Sequence, residues 1–131
     1  MKTITCSILF LFTGIHSVKS QKASVDTTII GTWKGTSICQ VKNSPCHDEV
    51  VVYHITKAQG TDTFSIAANK IVNGKEVEMG IIGFKLDRKN IRLLSTDYNS
   101  FWTLNFKGKE LDGTLVSGGS LYRIIKLTKQ Q

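Results

Sequence analysis

From residue 30 to the C-terminus, short runs of alternating apolar and polar residues are separated at regular intervals by turns rich in Gly, Asn and Asp. Phe64, Ile66 and Ala68 alternate with Thr63, Ser65 and Ala67; Val77, Met79 and Ile81 with Glu76 and Glu78; Trp102, Leu104 and Phe106 with Thr103 and Asn105. A period of two places successive side chains on opposite faces of a strand, so each run carries one face to bury and one wetter face. Eight such runs cover residues 30–38, 49–57, 63–72, 75–86, 90–95, 100–106, 110–116 and 121–128. Asn73-Gly74 is the clearest turn, because both residues accept the positive φ of a two-residue hairpin. Helical periodicity is absent from this part of the chain. The pattern predicts an all-β fold: a single eight-stranded antiparallel up-and-down barrel, favoured over a sandwich because closure removes the edges a meander leaves open. Eight strands enclose packed side chains or one small ligand.

The N-terminus has a different character. Met1-Lys2-Thr3 precedes an apolar stretch over residues 4–15, and Val18-Lys19-Ser20 comes before Gln21. An early lysine, a short apolar core and small residues before the junction predict a secretory signal peptide cleaved after Ser20. The stretch is shorter than the roughly 20 residues of a membrane-spanning helix. The expected organisation is a signal peptide over 1–20, a flexible segment over 21–29 and the barrel over 30–131, exported to the periplasm or the extracellular space as a monomer with no membrane span in the mature chain. Of the three cysteines, Cys6 leaves with the peptide, and Cys39 and Cys46 remain to pair in an oxidising compartment. So short a ring contributes about 2.5 kcal/mol by loop entropy. Zinc binding by these cysteines with His47 lacks a second Cys/His pair at the right spacing, so no metal and no cofactor are expected. The formal charge of +7 is spread over nearly every segment, with no basic run longer than Arg88-Lys89 and no interleaved aromatics. That distribution suits a solvated surface and excludes nucleic acid as a partner.

Gly31-Thr32-Trp33 opens the first run and Leu121-Tyr122-Arg123-Ile124 lies in the last, and a closed barrel makes those strands neighbours. Trp33 could plug one end with Arg123 across its ring, a cation–π contact of about 0.5–2 kcal/mol. This arrangement resembles the lipocalin/calycin superfamily, whose Gly-x-Trp packs against an arginine from the end of the chain. The resemblance implies a lipocalin-like barrel closed by Gly31, Trp33 and Arg123. Thr96-Asp97-Tyr98 also resembles the superfamily's Thr-Asp-x-x-Tyr loop motif, yet a meander puts it at the end opposite Trp33, so that role is not carried over. In size the chain is closer to the avidin-like members. The segment running from Trp33 through Cys39, Ser44-Pro45-Cys46-His47-Asp48-Glu49 to Tyr53 is similar to a family of small exported bacterial proteins, a similarity that brings no substrate with it.

The same parity gathers the Cys39–Cys46 loop, Asn73-Gly74, residues 96–99 and residues 117–119 at one end, the expected open mouth. Candidate ligand contacts there are His47, Glu49, Tyr53, Tyr98 and Trp102. The second run is apolar on both faces, so either Glu49, Val51 and Tyr53 or Val50, Val52 and His54 point inward. Catalysis has little support: there is no Gly-x-Ser-x-Gly elbow and no Ser/His/acid set in context. The expected function is an exported, non-catalytic barrel that binds a small, partly apolar ligand. The alternatives are a protein-interaction or protease-inhibitor module using the disulfide-tied loop, and a small enzyme using His47 and Glu49 as an acid–base pair.

Overall fold

The computed structural model describes Gly14, residues 24–97 and residues 99–131; the signal-peptide assignment and Tyr98 lie outside these apart from Gly14. The described chain forms a short helix, α1 (Val25–Ile29), and nine strands: β1 (Gly31–Cys39), β2 (Glu49–Lys57), β3 (Thr63–Val72), β4 (Lys75–Val77), β5 (Ile81–Asp87), β6 (Arg92–Asp97), β7 (Ser100–Lys107), β8 (Glu110–Ser117) and β9 (Ser120–Lys129). Eight of them close an antiparallel barrel in the order β1-β2-β3-β5-β6-β7-β8-β9, with β9 returning to β1. The all-β barrel expected from the alternation is therefore present, and it is compatible with a lipocalin-like fold. No described helix is long and apolar enough to cross a membrane.

One run divides. Residues 75–86 form two strands on the same edge of β3, with β4 pairing Lys70–Val72 and β5 pairing Thr63–Ala67. The break falls at residues 78–80, where Gly80 has φ 123°, a conformation that L side chains rarely adopt. β4 thus lies outside the closed circuit. Next to it the wall is thin: β5 and β6 pair only through Lys85–Asp87 and Arg92–Leu94, and Ser95 Oγ donates to Gly83 O at 2.6 Å just above. The Asn73-Gly74 turn takes the expected positive φ values, 51° and 76°.

The barrel is filled from the end where β1 begins. Trp33, Phe64, Ile66, Leu93, Leu104 and Ile125 are fully buried there. Residues 21–29 were expected to be flexible, but from Val25 onward the chain is held: Ile29 is fully buried, and Trp33 Nε1 donates to Ile29 O at 2.9 Å. Asp26 pairs with Arg88 at 3.0 Å and Lys57 at 3.4 Å, which ties α1 to the barrel rim. Five residues are too few for a helical period to show in the sequence. Gly31, at φ 141°, turns the chain from α1 into β1, and a Cβ there would meet Lys129 Cε at 2.9 Å.

The cation over Trp33 is Lys129, not Arg123. The β1–β9 register pairs Trp33 with Lys129 and Cys39 with Arg123. Lys129 Nζ lies 5.7 Å from the indole ring and donates to Thr27 O and Thr28 O at 2.9 and 2.8 Å. Six residues of strand, about 20 Å, separate the two cations along β9. Arg123 belongs to the other end of the barrel.

Candidate functional site

The mouth is built by strand parity. On β2, Val51, Tyr53 and Ile55 join the buried core, whereas His54 bonds outside the wall to Thr32 and Glu76. The inward set is therefore Glu49, Val51 and Tyr53. The same alternation turns Ser37 inward on β1, Lys70 on β3, Trp102 on β7 and Leu115 on β8. On β9 a bulge at Leu115/Val116 leaves one extra residue between the partners Leu121 and Arg123. Arg123 keeps the inward parity of Ile125 and Leu127 and joins the lining. These residues, with Met79 and Ile82 from the β4–β5 segment, enclose a cavity of about 250 Å³.

The cavity has a charged end and apolar walls. Glu49 Oε1 lies 3.4 Å from Lys70 Nζ, and Glu49 Oε2 lies 3.7 Å from Arg123 Nη1. Nη1 also donates to His47 O at 3.0 Å and to Ser37 O and Oγ, both at 3.2 Å. The Arg123 side chain is only 12% exposed, so these contacts fix its position. Burial raises the Tyr53 hydroxyl well above the ordinary tyrosine value; Arg123 pulls it down and Glu49 pushes it up, both by less. Tyr53 is therefore a neutral hydrogen-bond donor at physiological pH. Val51, Ile82, Trp102 and Leu115 supply apolar surface, and Trp102 meets Phe84 edge-on at 6.3 Å.

Of the candidate contacts, Glu49, Tyr53 and Trp102 line this cavity together. His47 does not; its side chain is exposed and only its backbone carbonyl joins the site, through Arg123. No hydrogen bond joins His47 to Glu49 among the described residues. Tyr98 lies outside the described residues. Thr96 and Asp97 sit at the mouth, where Gly118 N donates to Asn99 O at 3.1 Å, as the meander requires. Cys39 and Cys46 form a disulfide with Cα atoms 5.9 Å apart, and Asp48 Oδ1 accepts from Cys39 N at 2.9 Å. The tied loop forms part of the rim. No group of three or more His, Cys, Asp or Glu suited to a metal occurs among the described residues.

Sequence reasoning missed Ser37, Lys70 and the true position of Arg123. Lys70 follows Phe64, Ile66 and Ala68 at the inward period, and Ser37 follows Trp33 and Gly35, so both were readable from parity. A second polar cluster, also unanticipated, lies on the outer wall. His54 bonds Thr32 Oγ1 at 3.2 Å through Nδ1 and Glu76 Oε2 at 2.8 Å through Nε2. Asn69 Nδ2 donates to the same Glu76 oxygen at 2.8 Å. The bonds from Asn69 and then His54 lower the Glu76 carboxyl below its ordinary value. This cluster fastens β4 to β2 and β3.

Set against known proteins, the chain matches no family and no curated protein. The closed barrel, with Gly31-Thr32-Trp33 opening its first strand and Lys129 as the cation over the ring, is compatible with a lipocalin-like fold.

Proposed function

We propose that the protein is an exported, non-catalytic barrel that binds a small, partly apolar molecule in its open half. The carrying observation is the contrast along the barrel axis: side chains fill one half, and a 250 Å³ cavity with apolar walls and polar groups at one side occupies the other. That combination suits a ligand whose body leaves water while its polar end is oriented by fixed groups. Export is inferred from the N-terminal pattern and accords with the disulfide. The test is a native mass spectrum of protein collected after export. The expected result is a processed, disulfide-bonded monomer carrying a small-molecule adduct that is lost on denaturation. Bare protein from several growth conditions would count against the reading.

A second reading, a protein-binding module, is favoured by the exposure of Val41, Lys42, Asn43 and Pro45 on the disulfide-tied loop. Capture of a protein partner that disappears in a folded Cys39→Ser/Cys46→Ser variant would support it. Capture unchanged by that double substitution would remove the loop as the epitope.

A further inference from the structure

We infer that the molecule bound in the mouth is a small monocarboxylic acid, with one ring or a short branched chain as its body and its carboxylate on Arg123. The inference rests on the ligand-binding reading above and adds the chemical class.

Charge is the first argument. The charged residues lining the cavity are Glu49, Lys70 and Arg123. A single carboxylate is shared between two cations, which leaves one positive charge in a site whose arginine is nearly buried. An uncompensated charge in such a place is costly, and a bound anion removes the cost. One excess positive charge matches a monoanion better than a phosphate dianion.

The geometry of Arg123 is the second. All of its hydrogen bonds to described residues, and its ion pair with Glu49, run through Nη1. Among the described residues, Nε and Nη2 meet no acceptor. Those two nitrogens form the guanidinium edge that takes a carboxylate through two parallel hydrogen bonds. The Tyr53 hydroxyl likewise meets no partner among the described residues, and it lines the same cavity. It is a further donor for the ligand's polar end.

Size and walls are the third. An apolar cavity of about 150 Å³ holds a benzene molecule, so 250 Å³ accommodates one ring and a short acid-bearing arm. Pockets for drug-sized ligands run from roughly 300 to 1,000 Å³, so a long acyl chain would have to extend beyond this cavity. Trp102, Leu115, Val51 and Ile82 provide the apolar surface for such a body.

The test is calorimetric titration at neutral pH of the mature protein with hydrocinnamate, its neutral amide and laurate. Hydrocinnamate is expected to bind at least about tenfold more tightly than the amide, the scale of a charge-assisted hydrogen bond. Arg123→Lys keeps the charge but loses the two-pronged edge, so it should reduce that preference, and Arg123→Gln should abolish it. Because Arg123 also braces Ser37 and His47, Lys70→Met serves as an independent variant that spares those bonds; it should narrow the preference for acid over amide. Equal affinity for acid and amide overturns the anion assignment while the carrier reading stands. Tighter binding of laurate than of hydrocinnamate overturns the size assignment. Binding of neither ring probe overturns the proposed class, and the native mass spectrum then decides the carrier reading separately.

Discussion

The two ends of this barrel treat polar groups in opposite ways. At the closed end the Trp33 indole N–H meets Ile29 O, Lys129 caps Thr27 and Thr28, and Arg88 is shared by Asp26 and Asp62. At the mouth Glu49 serves two cations, one edge of Arg123 has no acceptor among the described residues, and the Tyr53 hydroxyl has none either. Both ends are walled by the same eight strands. The difference separates groups satisfied within the chain, which hold the fold, from groups left without a protein partner beside a cavity, which are the ones the proposed ligand would meet.

Substitutions at matched positions can break this contrast. The largest expected effect is at the closed end, where Trp33→Ala should cost about 3–5 kcal/mol in urea unfolding by leaving a cavity in a packed core. Trp102→Ala, at the half-open wall, should cost clearly less and instead abolish ligand binding. Next comes the disulfide: Cys39→Ser/Cys46→Ser should lose about 2.5 kcal/mol, measured by the same unfolding curves. The two inward lysines then provide a direct comparison. Lys129→Met forfeits a cation–π contact and two hydrogen bonds to backbone carbonyls, at about 1–3 kcal/mol. Lys70→Met loses one partly buried ion pair at 3.4 Å while Glu49 keeps Arg123, at a cost of less than about 1 kcal/mol. Equal losses in the two variants would erase the distinction between the ends.

The smallest effect is on pH dependence. Tyr53 ionises above the ordinary tyrosine value of 10.0 because burial disfavours the phenolate. Its contribution to stability is complete below the unfolded value and declines as pH rises through 10 towards the folded value, since the unfolded chain there releases its proton first. Ultraviolet titration should show one tyrosine that does not ionise with the others, and Tyr53→Phe should remove that lag. Glu76 behaves in the opposite sense: its lowered carboxyl supports the fold above its unfolded value of 4.5 and loses that support as pH falls. Acidification should therefore loosen β4 before the barrel opens, visible as early exchange of amides in Lys75–Val77.

Much of the architecture was legible because strand alternation is a local signal that burial enforces residue by residue. The barrel and its mouth follow from counting in twos, but the inward face of β2 does not, because that strand is apolar on both sides until the core takes Val51 and Tyr53. What escaped depends on register or on short-range geometry. Arg123 and Lys129 have the same parity on β9, so either could face Trp33 until the pairing with β1 is known. The break at residues 78–80 hides in an unbroken alternation of Val77, Met79 and Ile81; only Gly80 hinted at it. Lys70 and Ser37 were visible at inward positions, but a polar residue at the end of an apolar face reads equally well as the strand emerging into solvent.

The chain carries two tryptophans, one at each end of the barrel, and their indole N–H signals report on the central claim directly. In a two-dimensional nitrogen–proton spectrum titrated with hydrocinnamate, the Trp102 indole signal should move and saturate while the Trp33 signal stays in place. Movement of the Trp33 signal, or of neither, would contradict an account in which one end is closed and complete and the other is open and waiting for an anion.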